Sequence, residues 1–227
     1  MTARIISYTQ SADGNLSDIT EQIAYCARVS NPSSQINNEN NEKLLNYLMT
    51  HEHWSPFEMV NICIEITSTR DIVRQILRHR SFSFQEFSQR YAEANLGFAI
   101  RETRLQDNVK RQNSFECNDE ELMEEWKTRQ ESIIESIAEN YQWALKNGIA
   151  KEQSRCILPE GMTISRIYMN GTLRSWIHYL KIRMNWDTQK EHREVAQSCF
   201  EEIKKIFPLI EKIVDFNSAD KSQTKII

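Results

Sequence analysis

Fourteen consecutive residues, Arg78 to Tyr91, hold three arginines, a histidine, a glutamate, two glutamines, three serines and four aromatic rings. The mixture is too polar for a core and too aromatic for a solvated loop, and it reads as a site. Guanidinium groups bind phosphate oxygens in pairs, while amides and carboxylates read the edge of a flat heterocycle. Arg78, Arg80 and Arg90 therefore suit an anion, and Gln85, Glu86 and Gln89 suit a base or ring. Ser88 invites a nucleophilic reading, but a serine needs a paired base to act so. Only His79, nine residues away, is near in sequence. Arg70, Arg74 and Arg78, spaced by four, taken alone read as a solvated or salt-bridged helix face.

The elements around this stretch follow from periodicity. Met59 to Thr67 alternates, with Val60, Ile62, Ile64 and Ile66 on one side and Asn61, Cys63 and Glu65 on the other, which predicts a strand. Ser68-Thr69-Arg70-Asp71 then caps a helix that buries Ile72, Val73, Ile76 and Leu77 and aims its end at the motif. Upstream lie a short strand over Arg4–Thr9, a turn over Ser11–Asn15, a helix capped by Ser17, and a helix from Asn40 to Thr50. Downstream, periodicity fades until a long helix over Glu120–Asn147, with Leu122, Trp126, Ile133, Ile137, Tyr141 and Leu145 expected inward. A helical segment over Lys151–Cys156, a strand over Met162–Met169, a helix from Gly171 to Arg183 and a last helix from Thr188 toward Phe207 complete the chain. These elements predict one α/β domain over residues 1–217, a small, mostly antiparallel sheet covered by several long helices, followed by a polar tail at 218–227.

Composition narrows the chemistry. Of 227 residues, 40% are hydrophobic, enough for a real core, and 28 basic against 32 acidic side chains give a net charge of −4. That balance offers no general attraction to nucleic acid or to an anionic membrane. No stretch approaches a membrane span and the N-terminus lacks a signal-peptide core, so a cytoplasmic enzyme or binding protein is expected. Five dispersed cysteines without a Cys-x-x-Cys pair argue against disulfides and a metal site; Cys63 and Cys156 read as buried small residues. Five glycines cannot be assembled into a dinucleotide fingerprint or a P-loop, so any nucleotide or flavin must be held by side chains.

Arg78-His79-Arg80, seven residues, then Ser88 resembles the signature of the flavin-dependent thymidylate synthase family. His53-Trp54-Ser55-Pro56-Phe57-Glu58 is similar to that family's segment before the central strand, and Arg155 before Leu158-Pro159 to its arginine before a turn. Gly171 to Arg183 and Gln189 to Glu194 resemble its late helix pair, so the likeness runs from about His51 to Glu194. One departure stands out: many members carry an asparagine where Thr172 begins the triplet Thr172-Leu173-Arg174.

The resemblance implies a homotetramer that converts dUMP to dTMP, with methylenetetrahydrofolate as carbon donor, NADPH as reductant and bound FAD. It implies FAD contacts by Arg78, His79, Arg80, Glu86, Thr172, Leu173, Arg174 and His178, with Ser55 reaching from a neighbouring subunit. It assigns the nucleotide to Gln75, Arg78, Glu86, Phe87, Ser88, Gln89, Arg90, Arg155 and Arg183, and makes Arg183 the catalytic arginine. His53 is either a residue of the folate and nicotinamide side or a loop histidine bonded to backbone. Trp54, Phe82, Phe84 and Phe87 are candidates for stacking. Two rival readings remain open: a nucleotide-binding protein without catalysis, and a flavin enzyme of the same fold that modifies another pyrimidine nucleotide.

Overall fold

In the computed structural model, which describes residues 1–35 and 39–214, the chain forms β1 (Thr2–Tyr8), α1 (Ile19–Ala27), α2 (Asn41–Thr50), β2 (Asn61–Thr69), α3 (Arg70–Ile76) and β3 (Ser83–Glu86). There follow β4 (Arg104–Gln106), β5 (Ser114–Glu116), α4 (Glu120–Lys146), α5 (Lys151–Ser154), β6 (Ile164–Thr172), α6 (Leu173–Arg183) and α7 (Lys190–Ile206), with short 3₁₀ turns among them. The strands β1, β2, β6 and β3 hydrogen-bond in that order, and β4 pairs antiparallel with β5. This is the mixed α/β fold expected, helices around a small antiparallel sheet. Among the described residues no helix is long and apolar enough to cross a membrane. The polar tail expected at 218–227 lies outside the described residues.

The described residues divide into two compact units. One holds residues 1–66, 79–85 and those from Tyr168 onward; the other holds 67–78 and 86–167. Both β2 and β6 run through the two sets of residues.

In the first unit the alternation of β2 has the consequence expected: Val60, Ile62, Ile64 and Ile66 are fully buried, as is Met169 of β6. The apolar stripes of α1 (Ile19, Ile23), α2 (Leu45, Leu48), α6 (Leu173, Trp176, Leu180) and α7 (Val195, Cys199, Phe200, Ile203) are buried too. Edge strand β1 exposes amides that would otherwise lack partners. Ser198 Oγ and Glu202 Oε2 of α7 accept from the Ala3 and Ile5 amides at 2.9 and 3.2 Å. At the end of β6, Gly171 is required by a close approach: a Cβ there would lie 2.4 Å from the Phe82 ring.

In the second unit α3 is shorter than predicted, ending at Ile76, so that Arg78 lies beyond the helix. The face of α4 also differs from expectation. Leu122, Trp126 and Ile133 are exposed and Gln130 and Ala144 are buried, while Tyr141 is buried as expected. The cause is the irregular chain around residues 94–101, whose backbone polar groups need partners. Gln130 accepts from the Arg101 amide at 2.8 Å and donates to its carbonyl at 2.9 Å, and the Tyr141 hydroxyl accepts from the Ala94 amide at 3.1 Å. Hydrophobic periodicity cannot anticipate a helix face chosen to satisfy a loop.

Smaller differences have local reasons. Asp18, rather than Ser17, caps α1, its carboxylate accepting from the Glu21 amide at 2.9 Å. Cys156 is exposed and Cys63 half-buried, so neither is a core residue. The segment 83–86, for which no strand was predicted, becomes β3 by pairing beside β6.

Candidate active site

Most residues that the resemblance assigns to flavin fall in the first unit: Ser55, His79, Arg80, Thr172, Leu173, Arg174 and His178. Thr172 N-caps α6, its hydroxyl accepting from the Ser175 amide at 3.2 Å. Threonine and asparagine both serve as N-caps, so the departure at Thr172 preserves the helix start. Leu173 is buried, its amide donating to the Val60 carbonyl at 2.8 Å, while Arg174 projects outward and pairs with Glu58. Arg80 and His178 are exposed and make no side-chain hydrogen bond to the described residues; Ser55, also exposed, begins a 3₁₀ turn.

Arg183, at the last turn of α6, donates from Nε to His79 Nε2 at 2.9 Å. His79 must therefore carry its proton on Nδ1. Burial, with the Arg183 charge and then His178 adding to it, pushes its pKa down to about 4, so the imidazole is neutral at physiological pH. The ring meets Tyr179 edge-on at 5.0 Å between centroids and Phe82 at 6.5 Å. Phe82 is a packed residue rather than a stacking platform, edge-on against Trp176 at 4.9 Å. Behind Tyr179 lies His192, fully buried and 3.2 Å from the tyrosine hydroxyl. Burial, then Arg183 and His79, pushes the His192 pKa down to about 3.

The second unit carries the nucleotide set, Gln75, Arg78, Glu86, Phe87, Ser88, Gln89, Arg90 and Arg155; of the residues assigned to the nucleotide, only Arg183 lies in the first. Glu86 ends β3, its Oε1 accepting from Arg70 at 3.0 Å and from Ser165 Oγ at 2.9 Å. Gln89 is buried, yet its Nε2 has no partner among the described residues. A buried donor without an acceptor is costly unless a ligand supplies one. Arg78 and Arg155 are likewise without ion pairs among the described residues, whereas Arg74 pairs with Glu160 and Arg90 with Glu152. Phe87 is half-buried, and its amide donates to the Arg166 carbonyl at 2.8 Å. Ser88 Oγ accepts from the Arg90 amide at 3.4 Å, and no base lies in hydrogen-bond reach of it among the described residues.

His53 and Trp54, outside the motif, lie in the first unit. His53 is exposed and its ring lies 6.1 Å from those of Tyr47 and His51, and Lys181 stands over Trp54 at 5.1 Å. Sequence reasoning passed over the supports: Arg70 and Ser165 for Glu86, Glu58 for Arg174, and Tyr179 and His192 behind His79. Arg70 was visible as part of a stripe, but its partner stands 16 residues away, outside any local period.

The family described as thymidylate synthase complementing protein matches residues 4–209. A probable flavin-dependent thymidylate synthase of Paramecium bursaria Chlorella virus 1 is 45% identical over 216 residues, covering 95% of this chain and all of that one. The flavin-dependent thymidylate synthase of Synechocystis sp. is 46% identical over 213 residues, covering 92% and 97%. Among solved structures, the UMP/dUMP methylase PolB of Streptomyces cacaoi with 5-Br dUMP has a TM-score of 0.77 at 26% identity, over 93% of each chain. The same methylase with 5-Br UMP has a TM-score of 0.78 at 25% identity, over 93% and 92%. With its motif arginines, capped late helix and central strands all inside the matched region, the chain belongs to the thymidylate synthase complementing protein family.

Proposed function

We propose that the protein is a flavin-dependent thymidylate synthase, which methylates dUMP to dTMP with methylenetetrahydrofolate as carbon donor and NADPH as reductant. The observation that carries this reading is the set of polar groups left without protein partners. Among the described residues Gln89 Nε2 is buried and unpaired, and Arg78, Arg80 and Arg155 have no anion to neutralise them. A nucleoside monophosphate supplies what they lack: a dianion for the guanidiniums and carbonyl acceptors for the amide. The high identity to curated synthases gives the reaction.

The residues also fit FAD. Arg80, Arg174 and His178 offer donors and positive charge, and Thr172 and Ser55 offer hydroxyls, the donor set that a pyrophosphate and ribityl chain accept. These residues, with His79, Arg78, Glu86 and Leu173, would hold the cofactor, which supplies hydride chemistry that no side chain here provides. The protein's own part is electrostatic. Arg183 places a positive charge beside the N3 to O4 edge of uracil and stabilises the negative charge that makes C5 nucleophilic. Arg90 and Arg155 take the phosphate, Arg78 and Gln75 support it, and Gln89, Glu86 and Phe87 position the base. Ser88 binds substrate and does not attack it, because no base lies within its reach among the described residues. His53 lies on the folate and nicotinamide side.

In this reading the chain acts as one catalytic domain, in the cytoplasm, as a homotetramer. Apolar side chains left exposed on α4, Leu122, Met123, Trp126 and Ile133, favour association. Ser55 then serves the flavin of a neighbouring subunit.

Tritium release from 5-labelled dUMP in the presence of FAD, NADPH and methylenetetrahydrofolate tests the reading. Release that requires all three supports it, and an FAD-loaded protein that releases none refutes it. A second reading, methylation of UMP as well, is favoured by the fold match to a UMP/dUMP methylase. Parallel assays with 5-labelled UMP decide between the two.

A further inference from the structure

The described arginines differ in what holds them. Arg70, Arg101 and Arg174 each face a carboxylate, from Glu86, Asp71 and Glu58 respectively. Arg183 faces none: its only side-chain hydrogen bond to the described residues runs to His79 Nε2 at 2.9 Å. A carboxylate at that place would orient the guanidinium and cancel its charge together. A neutral imidazole orients it and leaves the charge whole.

The imidazole is itself immobilised. Tyr179 packs edge-on against it at an interplanar angle of 81°, and Phe82 does so at 84°. Both rings are buried, Phe82 being wedged by Gly171 and Trp176. The groups that act electrostatically on His79 are Arg183 and His178, both of which disfavour its protonation. Tyr179 is bonded to buried His192 and burial raises its own pKa, so neither presents a negative charge to Arg183.

We propose that His79 is a positioning residue for Arg183: its Nε2 fixes the guanidinium through Nε while preserving its full positive charge for the substrate. This rests on the reading of Arg183 as the group that activates the pyrimidine, and it adds a role for His79 distinct from flavin contact. The bond at Nε leaves the two terminal nitrogens without a partner among the described residues, and a fixed cation needs no reorganisation as negative charge develops on the ring. Misplacing such a group by about 1 Å costs on the order of 10²-fold in rate.

Three substitutions separate orientation from charge. His79→Gln keeps a neutral acceptor, His79→Leu removes it, and His79→Glu keeps an acceptor but adds a cancelling charge. At saturating FAD and dUMP, with flavin content measured for each protein, kcat for tritium release should fall about 10²-fold in His79→Leu. It should recover to within several-fold of the native enzyme in His79→Gln, and stay low in His79→Glu. The contact is also read without turnover. In ¹⁵N spectra of the cofactor-free native protein, the Arg183 Nε–H should be protected from exchange, and His79 should show the Nδ1–H tautomer. Equal kcat in His79→Gln and His79→Leu, full activity in His79→Glu, or a rapidly exchanging Arg183 Nε–H in the native protein would each overturn the proposal. A native protein that releases no tritium refutes the synthase reading instead, leaving the spectra to decide the contact.

Discussion

Adding one methyl group at Gly171 tests whether the rings around His79 are as tightly packed as the geometry requires. A Cβ there falls 2.4 Å from Phe82 Cδ1 and 2.7 Å from Cε1. Carbon atoms rest at about 3.5–4.0 Å, so the ring must retreat by roughly 1 Å. It has little room, being only 9% exposed and backed by Trp176. Overpacking of this kind costs about 1–3 kcal/mol. Phe82→Ala alone costs about 3 kcal/mol through the cavity it leaves. In the double variant the methyl enters space vacated by the ring, so Gly171→Ala should add almost nothing on the Phe82→Ala background. Urea unfolding of the four proteins then yields a coupling of about 1–3 kcal/mol. Additive losses, with Gly171→Ala equally harmful in both backgrounds, would show that the ring is not the obstacle and would refute the packing argument.

Other consequences follow from the buried polar groups. His192 is held neutral with its pKa pushed down to about 3, whereas an unfolded histidine protonates near 6.5. Its contribution is complete above pH 6.5 and declines by up to about 1.4 kcal/mol per pH unit as the pH falls toward 3. His192→Gln should flatten that decline in urea midpoints taken at pH 7, 6 and 5; an unchanged slope assigns the acid sensitivity elsewhere. Glu86→Ala strands the Arg70 guanidinium and the Ser165 hydroxyl, and should cost about 1–3 kcal/mol in urea unfolding; no loss would mean that water replaces the carboxylate freely. Thr172→Ala should cost about 1 kcal/mol through the lost cap of α6, while Thr172→Asn should cost almost nothing. Equal losses in thermal melts of the two would show that the hydroxyl does not act as a cap.

Within a few residues, the chain's own chemistry was enough. The alternation from Val60 to Ile66 specified β2 and its buried side, because a strand's period is two and apolar side chains on one face must be covered. The helix expected from Gly171 to Arg183 forms as α6, and Thr172 caps it, its hydroxyl satisfying an amide three residues on. Arg78-His79-Arg80 and Ser88 marked the candidate site by their types alone. Contacts over long separations were settled otherwise. His79 and Arg183 stand 104 residues apart, and Glu86 and Ser165 are 79 apart. Sequence reasoning placed His79 with a cofactor and Arg183 with a substrate, and had no means of seeing that one orients the other. The inward face of α4 was only partly legible: Tyr141 was expected inward and is buried, but Gln130 is buried because it satisfies a loop backbone rather than an apolar period. Local periodicity and capping are written in neighbouring residues. Which neutral or charged partner meets each guanidinium is decided only when chain closure brings distant segments together, and with it whether that guanidinium is neutralised or keeps its charge.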